Sequence, residues 1–236
     1  LVVPATNFTA GFPKLGYKRI RKILDDNKVN YSRNTIIQAK DLVDSIEKIN
    51  LKEENTTIFT LDIESMYPSI KYSIVEKAVK FFSAKLKQDK KATIKKCLNM
   101  IKFCMDKSIL TFRWQFFEYG GRNHGTNNQD RCLTIGGYES AWLADLVAAL
   151  LLEKTETLFC DTKFFGIYQD DGLVFRGSKV EISEIADWLK SFQDKVNKIC
   201  GDSDLIFTAD IWQPTNKEEE LKTDSISPVL TTVYKI

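Results

Sequence analysis

The chain has 236 residues, 43% of them hydrophobic and 28% charged, with a formal net charge of +2. That balance excludes a disordered tail and a strongly polyionic protein, and the length allows a sizeable core in one large domain or two small ones. No run of residues approaches the length of a membrane span, and none reads as a secretory leader. The five cysteines, Cys97, Cys104, Cys132, Cys160 and Cys200, show no CxxC spacing, and His124 alone cannot complete a zinc-finger set. Thiols used as small core residues in a reduced, intracellular compartment are the expectation. The chain opens at Leu1 and closes on the apolar run TTVYKI, and it is expected to be a piece of a longer protein.

In chain order, residues 1–13 read as strand and loop. KLGYKRIRKILDDN predicts an amphipathic helix, with Leu15, Ile20, Ile23 and Leu24 set against a basic face. NTIIQAKDLVDSIEKI predicts a second helix, with Asn34 as its cap. The run from Thr56 to Ile63 is β-branched and apolar, which suits a buried strand. It delivers Asp62 near its end, and Pro68 is expected to break it. SIVEKAVKFFSAKL places Ile74, Ala78, Phe82 and Leu86 on one helical stripe, and ATIKKCLNMIKFCM does the same with Ile94, Leu98, Ile101 and Met105. Met66, Phe81, Phe82 and Trp142 read as core.

ILTFRWQFFEY predicts a strand pair, and GGRNHGTNNQDR a loop. LTIGGYESAWLADLVAALLLEKTE turns at Gly136 and Gly137 into a strongly apolar helix. FFGIYQDDGLVFRGSK predicts a hairpin with Asp170 and Asp171 at its tip. ISEIADWLKSFQDKVNKI carries Ile182, Ile185, Leu189, Phe192, Val196 and Ile199 on one face, and DLIFTADIWQ reads as a last strand. Helices alternating with strands that include a tight hairpin predict an α+β fold, a sheet with helices packed on one face.

Charge is unevenly placed. Residues 14–33 hold Lys14, Lys18, Arg19, Arg21, Lys22, Lys28 and Arg33 against Asp25 and Asp26. Residues 80–96 hold Lys80, Lys85, Lys87, Lys90, Lys91, Lys95 and Lys96 against Asp89. Such stretches are either solvated helix faces or phosphate footprints. Among the acids, Asp62, Asp170 and Asp171 are the candidates for chemistry. If their strands neighbour each other, three carboxylates converge, and carboxylates that crowd together call for a cation. Mg²⁺ takes hard oxygen ligands of this kind, and two such ions serve nucleotidyl transfer. Read alone, Asp170-Asp171-Gly172 is equally a solvated hairpin turn.

TLDIESMYPSI resembles the first palm motif of reverse transcriptases, a strand-borne Asp with an aromatic five residues later. GIYQDDGLVF resembles their Tyr-x-Asp-Asp hairpin, and LTIGGYESAWLADLVAALLLE the motif between the two, in the family's order. NKICGDSDLIFTADI, ISPVLTTVYKI and ATNFTAGFPKLGYKRIRKIL resemble segments of Penelope-like retroelement enzymes in particular. The resemblance covers nearly the whole chain. It implies a partial fingers region over 1–55 and a palm over 56–236, with motifs near 58–70, 133–153, 164–176 and 204–212 and no thumb, RNase H or endonuclease domain.

The resemblance further implies an RNA-directed DNA polymerase that extends a DNA primer with dNTPs on an RNA template, away from any membrane. It implies two Mg²⁺ ions, with Mn²⁺ as a substitute. Asp62 and Asp170 would bridge the metals, Asp171 would support them, and the Ile63 backbone carbonyl would meet one. Tyr67 would lie under the incoming sugar, where its ring leaves no room for a 2′-hydroxyl. Gly137 and Ser140 would line the nucleotide and template side, although a Gly turn and a helix-capping Ser explain them equally well. Tyr168 would pack by the primer end, although a buried aromatic before a turn explains it nearly as well; Gln169 is counted among the substrate-binding residues with no role beyond the strand, and Lys14, Lys18, Arg19 and Arg21 would touch template phosphates.

The chain departs from the family at Gln169, where relatives carry a small or apolar residue. It departs again at Glu139, an acid near the nucleotide path, and at Val3 before Pro4, where an Arg-Pro pair is usual. The triphosphate-binding cations would then lie upstream or be replaced. Two other readings stand beside this one. One is a catalytically inactive RNA-binding or assembly domain of the same fold. The other is a different template-dependent DNA polymerase, because SMYPSI also resembles the matching motif of replicative enzymes.

Overall fold

The computed structural model describes residues 11–31, 39–48, 57–106, 109–112, 115–118, 132–168, 170–178, 180–201 and 205–212. They form two compact units, each assembled from separate stretches of chain. One unit comprises Leu1–Arg33, Ser65–Glu153 and Ile199–Leu205, and the other comprises Asn34–Glu64, Lys154–Lys198 and Ile206–Ile236.

The second unit is built on a four-stranded antiparallel sheet. Its strands are β1 (Thr57–Ile63), β4 (Thr162–Tyr168), β5 (Asp171–Arg176) and β6 (Phe207–Trp212), in the order β4-β5-β1-β6. The β-branched run therefore lies at the centre, between β5 and β6. Its residues alternate strictly: Thr57, Phe59, Leu61 and Ile63 are buried, while Thr60 and Asp62 are exposed. Period-two alternation means that one face is covered and the other is open.

Helix α7 (Ile182–Cys200) covers the apolar face. Its inward residues Ile185, Leu189, Phe192 and Val196 are all buried, as the stripe in the sequence predicts. The Trp188 ring meets Phe59 edge-on at 5.2 Å and stacks on Phe192 at 5.4 Å, and Phe192 meets Phe207 at 4.9 Å. The Trp188 indole N–H donates to the Leu158 carbonyl at 2.8 Å, so the largest ring of the cluster keeps its polar edge satisfied. Two more bonds pin the sheet. The Phe207 N–H donates to Gln193 Oε1 at 2.9 Å, and the Val180 N–H to Thr57 Oγ1 at 3.1 Å, both buried. Helix α2 (Ala39–Ile46) lies beside β4. Asn34 and the expected cap of that helix lie outside the described residues.

The first unit is mostly helical. Helix α1 (Gly11–Asp26) packs along α5 (Gln88–Asp106), and α4 (Tyr72–Ser83) lies against α5 as well. α6 (Ser140–Thr155) is buried at almost every position from Trp142 to Leu152, which explains why its sequence is apolar all round. β2 (Ile109–Phe112) and β3 (Gln115–Glu118) pair as a separate hairpin. Tyr31 and Tyr17 flank the buried Trp142 at 6.0 and 6.1 Å.

Several sequence expectations are corrected. Leu15 is 62% exposed, and the buried side of α1 is formed by Pro13, Gly16, Ile20, Ile23 and Leu24. Residues 11–13 open that helix instead of belonging to a loop. Leu86 lies beyond the end of α4, and Phe81 is exposed while its neighbour Phe82 is buried. Pro68 does not end β1. It sits inside a single helical turn, α3 (Met66–Ser69), and the strand stops earlier at a Glu64-Ser65 turn. All five cysteines are free, and Cys160 is the exposed one. Burial pushes the Cys200 thiol up to about 12 and the Cys104 thiol up to about 11, so both stay protonated and inert.

The aromatic cluster under the sheet makes a test of this packing. Phe192→Ala should cost about 3–5 kcal/mol of unfolding free energy, and Phe81→Ala on the exposed side of α4 less than about 1 kcal/mol, both read by urea titration.

Candidate active site

The β4–β5 hairpin closes with Tyr168 opposite Asp171. Asp170 is therefore the turn residue, and Asp171 opens β5. The sequence suggested an Asp-Gly turn, and this is corrected. Gly172 belongs to the strand, on its buried face, where it pairs with Leu61. A Cβ at Gly172 would lie 3.1 Å from Leu61 Cβ, too close for ordinary contact. The glycine is there so that β1 and β5 can close together.

That close pairing fixes the acids. The β1–β5 register runs to Leu61 opposite Gly172. One step beyond that last pair stand Asp62 and Asp171, near enough for the Asp62 charge to act on the Asp171 carboxyl. Both are exposed on the face that α7 does not cover. On the other side of β1, Thr208 pairs with Asp62 and Asp210 with Thr60, so Asp210 is a further exposed acid on the same open face. No role for Asp210 follows from the sequence beyond an acid closing its strand motif.

Charge reports the same crowding. The Asp171 carboxyl is raised above its usual range, first by burial and then by the negative charges of Asp170 and Asp62. Like charges disfavour ionisation, and a cation placed among them would reverse the effect. Among the described residues, no group of three or more carboxylate, thiol or imidazole side chains is gathered tightly enough to hold an ion by itself. The donor set still fits Mg²⁺, which is commonly bound by one or two carboxylates plus substrate phosphates and not by an all-protein cage.

The chain leaves β1 abruptly. Glu64 N–H donates to the Ile206 carbonyl at 2.9 Å, and Ser65 adopts a left-handed conformation at φ 51. A non-glycine residue there carries strain of about 1–2 kcal/mol. The turn starts α3, which holds the half-buried Tyr67. Just beyond, Lys71 bridges Cys132, and the Leu133 N–H donates to the Ile70 carbonyl at 3.0 Å. Within the first unit this ties the Tyr67 turn to the segment leading to Gly136 and Ser140.

In that segment the Leu143 N–H donates to the Glu139 carbonyl, so Glu139 and not Ser140 stands at the cap position of α6. The capping explanation for Ser140 is thereby removed: its hydroxyl is buried without a hydrogen-bond partner. A Cβ on Gly137 would collide with that hydroxyl and lie 3.1 Å from Thr134 Oγ1, which requires glycine there. Glu139 is itself buried, and burial raises its carboxyl above the usual range.

The remaining candidates are dispersed. Lys14 sits 4.4 Å over the Tyr138 ring, a cation–π contact between residues far apart in sequence. Lys18 and Arg19 are exposed, and Arg21 lies 3.7 Å from Asp25. The backbone of Tyr168 pairs in the hairpin, and Gln169 lies outside the described residues.

Structure comparison now adds the fold. The chain is similar to the apo telomerase of Candida tropicalis truncated from its C-terminal domain, at TM-score 0.51 and 10% identity, covering 92% of this chain and 45% of that one. It is similar to the Candida tropicalis telomerase in complex with a fragment of telomeric RNA, at TM-score 0.57 and 12% identity, covering 80% and 33%. The Candida albicans telomerase in the matching complex gives TM-score 0.51 and 12% identity, covering 95% and 36%. This chain therefore spans less than half the length of those proteins. No family profile and no curated protein matches it in sequence. The fold, helices with a four-stranded antiparallel sheet, is that of a partial polymerase palm.

The crowded carboxylates give a pH-dependent prediction. Because the folded carboxyl of Asp171 is raised, its ionisation costs stability, and the cost grows as pH rises through the folded value. Asp171→Asn should therefore raise the thermal midpoint of the metal-free protein at neutral pH, and the gain should vanish below the carboxylate range. Differential scanning fluorimetry in chelator across pH measures this.

Proposed function

We propose that this chain is the palm and part of the fingers of a reverse transcriptase that extends a primer 3′-hydroxyl with dNTPs on an RNA template. One observation carries the reading: the β1–β5 register sets Asp62 beside Asp171 on an open sheet face, with Asp170 in the adjoining turn. The telomerase-like fold supports it.

In this reading Asp62 and Asp170 hold two divalent cations, Mg²⁺ or Mn²⁺, with Asp171 and the Ile63 carbonyl in support. When bound, those ions supply activation of the primer hydroxyl and charge neutralisation on the leaving phosphate. The chain's own work is positioning. The sheet fixes the carboxylates before substrate arrives, so no reorganisation is needed at the moment of reaction. Tyr67 stands five residues beyond Asp62 on a turn tied by backbone bonds to the Gly137-Ser140 segment. There it selects dNTPs by leaving no room for a 2′-hydroxyl. Gly137 and Ser140 line the nucleotide side. Tyr168 packs by the primer end, and Lys14, Lys18, Arg19 and Arg21 face the template. The finer reading, a Penelope-like retroelement enzyme, rests on the sequence resemblance of NKICGDSDLIFTADI, ISPVLTTVYKI and ATNFTAGFPKLGYKRIRKIL.

Primer extension on RNA and DNA templates tests this. Asp170→Ala should lower dNTP incorporation more than about a hundredfold, as loss of a group that stabilises transition-state charge does, with template binding retained. Incorporation that survives the substitution contradicts the assignment. A wild-type protein that binds RNA and never incorporates nucleotides favours the inactive RNA-binding domain. Tyr67→Ala should raise rNTP use relative to dNTP by about tenfold or more, and an unchanged ratio removes the sugar-gate role.

A further inference from the structure

Seven lysines and one acid, Asp89, fall between residues 80 and 96, which makes that segment net +6 in a chain that is net +2. All other residues together are therefore net negative, even with the basic stretch 14–33 among them. The segment covers the end of α4, the turn after it and the first half of α5. Ile94, Cys97, Leu98 and Ile101 of α5 turn inward. This leaves Lys95 and Lys96 outward, with Lys91 one helical turn before Lys95. Lys80 pairs with Glu76 at 3.0 Å, and Lys90 lies 3.9 Å from Asp89. Among the described residues no ion pair engages Lys85, Lys87, Lys91, Lys95 or Lys96. The neighbouring helix α1 adds Arg19, whose charge acts on the Cys97 thiol of α5.

Lysines packed this way repel one another, and a polyanion relieves the repulsion. The chemistry between them narrows the partner. From Gln88 to Asn99 the outward positions carry lysine, the single acid Asp89 and small neutral side chains, and the exposed large apolar residues of the two helices are Phe81 before this stretch and Phe103 after it, too far apart in the chain to make one insertion face. A helix that enters a membrane surface needs an apolar insertion face, and a protein interface needs buried aromatic or aliphatic anchors. A phosphate backbone needs neither; cations alone serve it.

We infer that the α4–α5 turn and the outer face of α5 form a second nucleic-acid surface that grips the phosphate backbone of a duplex without reading its bases. It lies outside the residues assigned to chemistry and does not depend on catalysis by Asp62 and Asp170.

The test is binding of a labelled RNA–DNA hybrid by fluorescence anisotropy over a salt series. The triple variant Lys91→Gln, Lys95→Gln, Lys96→Gln should flatten the log–log salt slope by about 0.9 per lost phosphate contact, so by about two to three in all. Its affinity should fall at least about tenfold. Replacing the same lysines by arginine should restore the slope. An unchanged slope in the glutamine variant overturns the proposal. So does a wild-type protein that does not bind the hybrid, or a variant that loses only its binding to phosphatidylserine vesicles. Asp170→Asn, run alongside, should keep the slope and lose extension. A flattened slope in the lysine variant with no extension by the wild type would sink the catalytic reading and leave this surface standing.

Discussion

Carboxylates side by side on neighbouring strands repel, and the pairing of β1 with β5 holds Asp62 and Asp171 together regardless. Everything else in the sheet serves that contact. Gly172 lets the strands close where any side chain would press on Leu61. Phe59, Trp188, Phe192 and Phe207 pack one face tightly enough to hold the register, since a slip of one residue would turn every apolar side chain of β1 outward. The turn then fixes Asp170 beside the pair. Stability from the covered face is set against repulsion on the open one, which is the arrangement expected where a cation is to be bound.

The first unit is organised around a different constraint. Its central helix α6 is apolar on all sides because its neighbours bury it on all sides, and the turn that leads into it is crowded with oxygen atoms. Thr134 Oγ1, Glu139 Oε1 and Ser140 Oγ all approach the position a Cβ would take at Gly137. Burial raises the carboxyl of Glu139, the acid that departs from the family pattern, and a backbone hydrogen bond opposes the shift.

Much of the fold was legible because its signals are periodic. The alternation of β1 and the stripes of α4, α5 and α7 each follow from one face being buried. Where the pattern is decided by tertiary contact, sequence failed. Leu15 looks like a core residue, yet the buried side of α1 runs through Gly16 and Ile20, because α1 lies against α5 along that line. Pro68 looks like a strand breaker, yet it sits inside a helical turn after the strand has already ended at the strained Ser65. Gly172 looks like a turn glycine, and its role is instead a contact with Leu61, more than a hundred residues away in sequence. The acids themselves were readable as candidates, but their facing pair is Asp62 with Asp171, and that is a matter of register. No local pattern states a register.

The account stands on a divalent cation binding between β1 and the β4–β5 turn. Paramagnetic broadening of backbone amide signals by substoichiometric Mn²⁺ tests it directly. The amides around Asp62 and around Asp170 and Asp171 should broaden first and together, Mg²⁺ should restore them by competition, and Asp62→Asn should abolish the effect. Broadening centred elsewhere, or persisting unchanged in Asp62→Asn, would contradict the account.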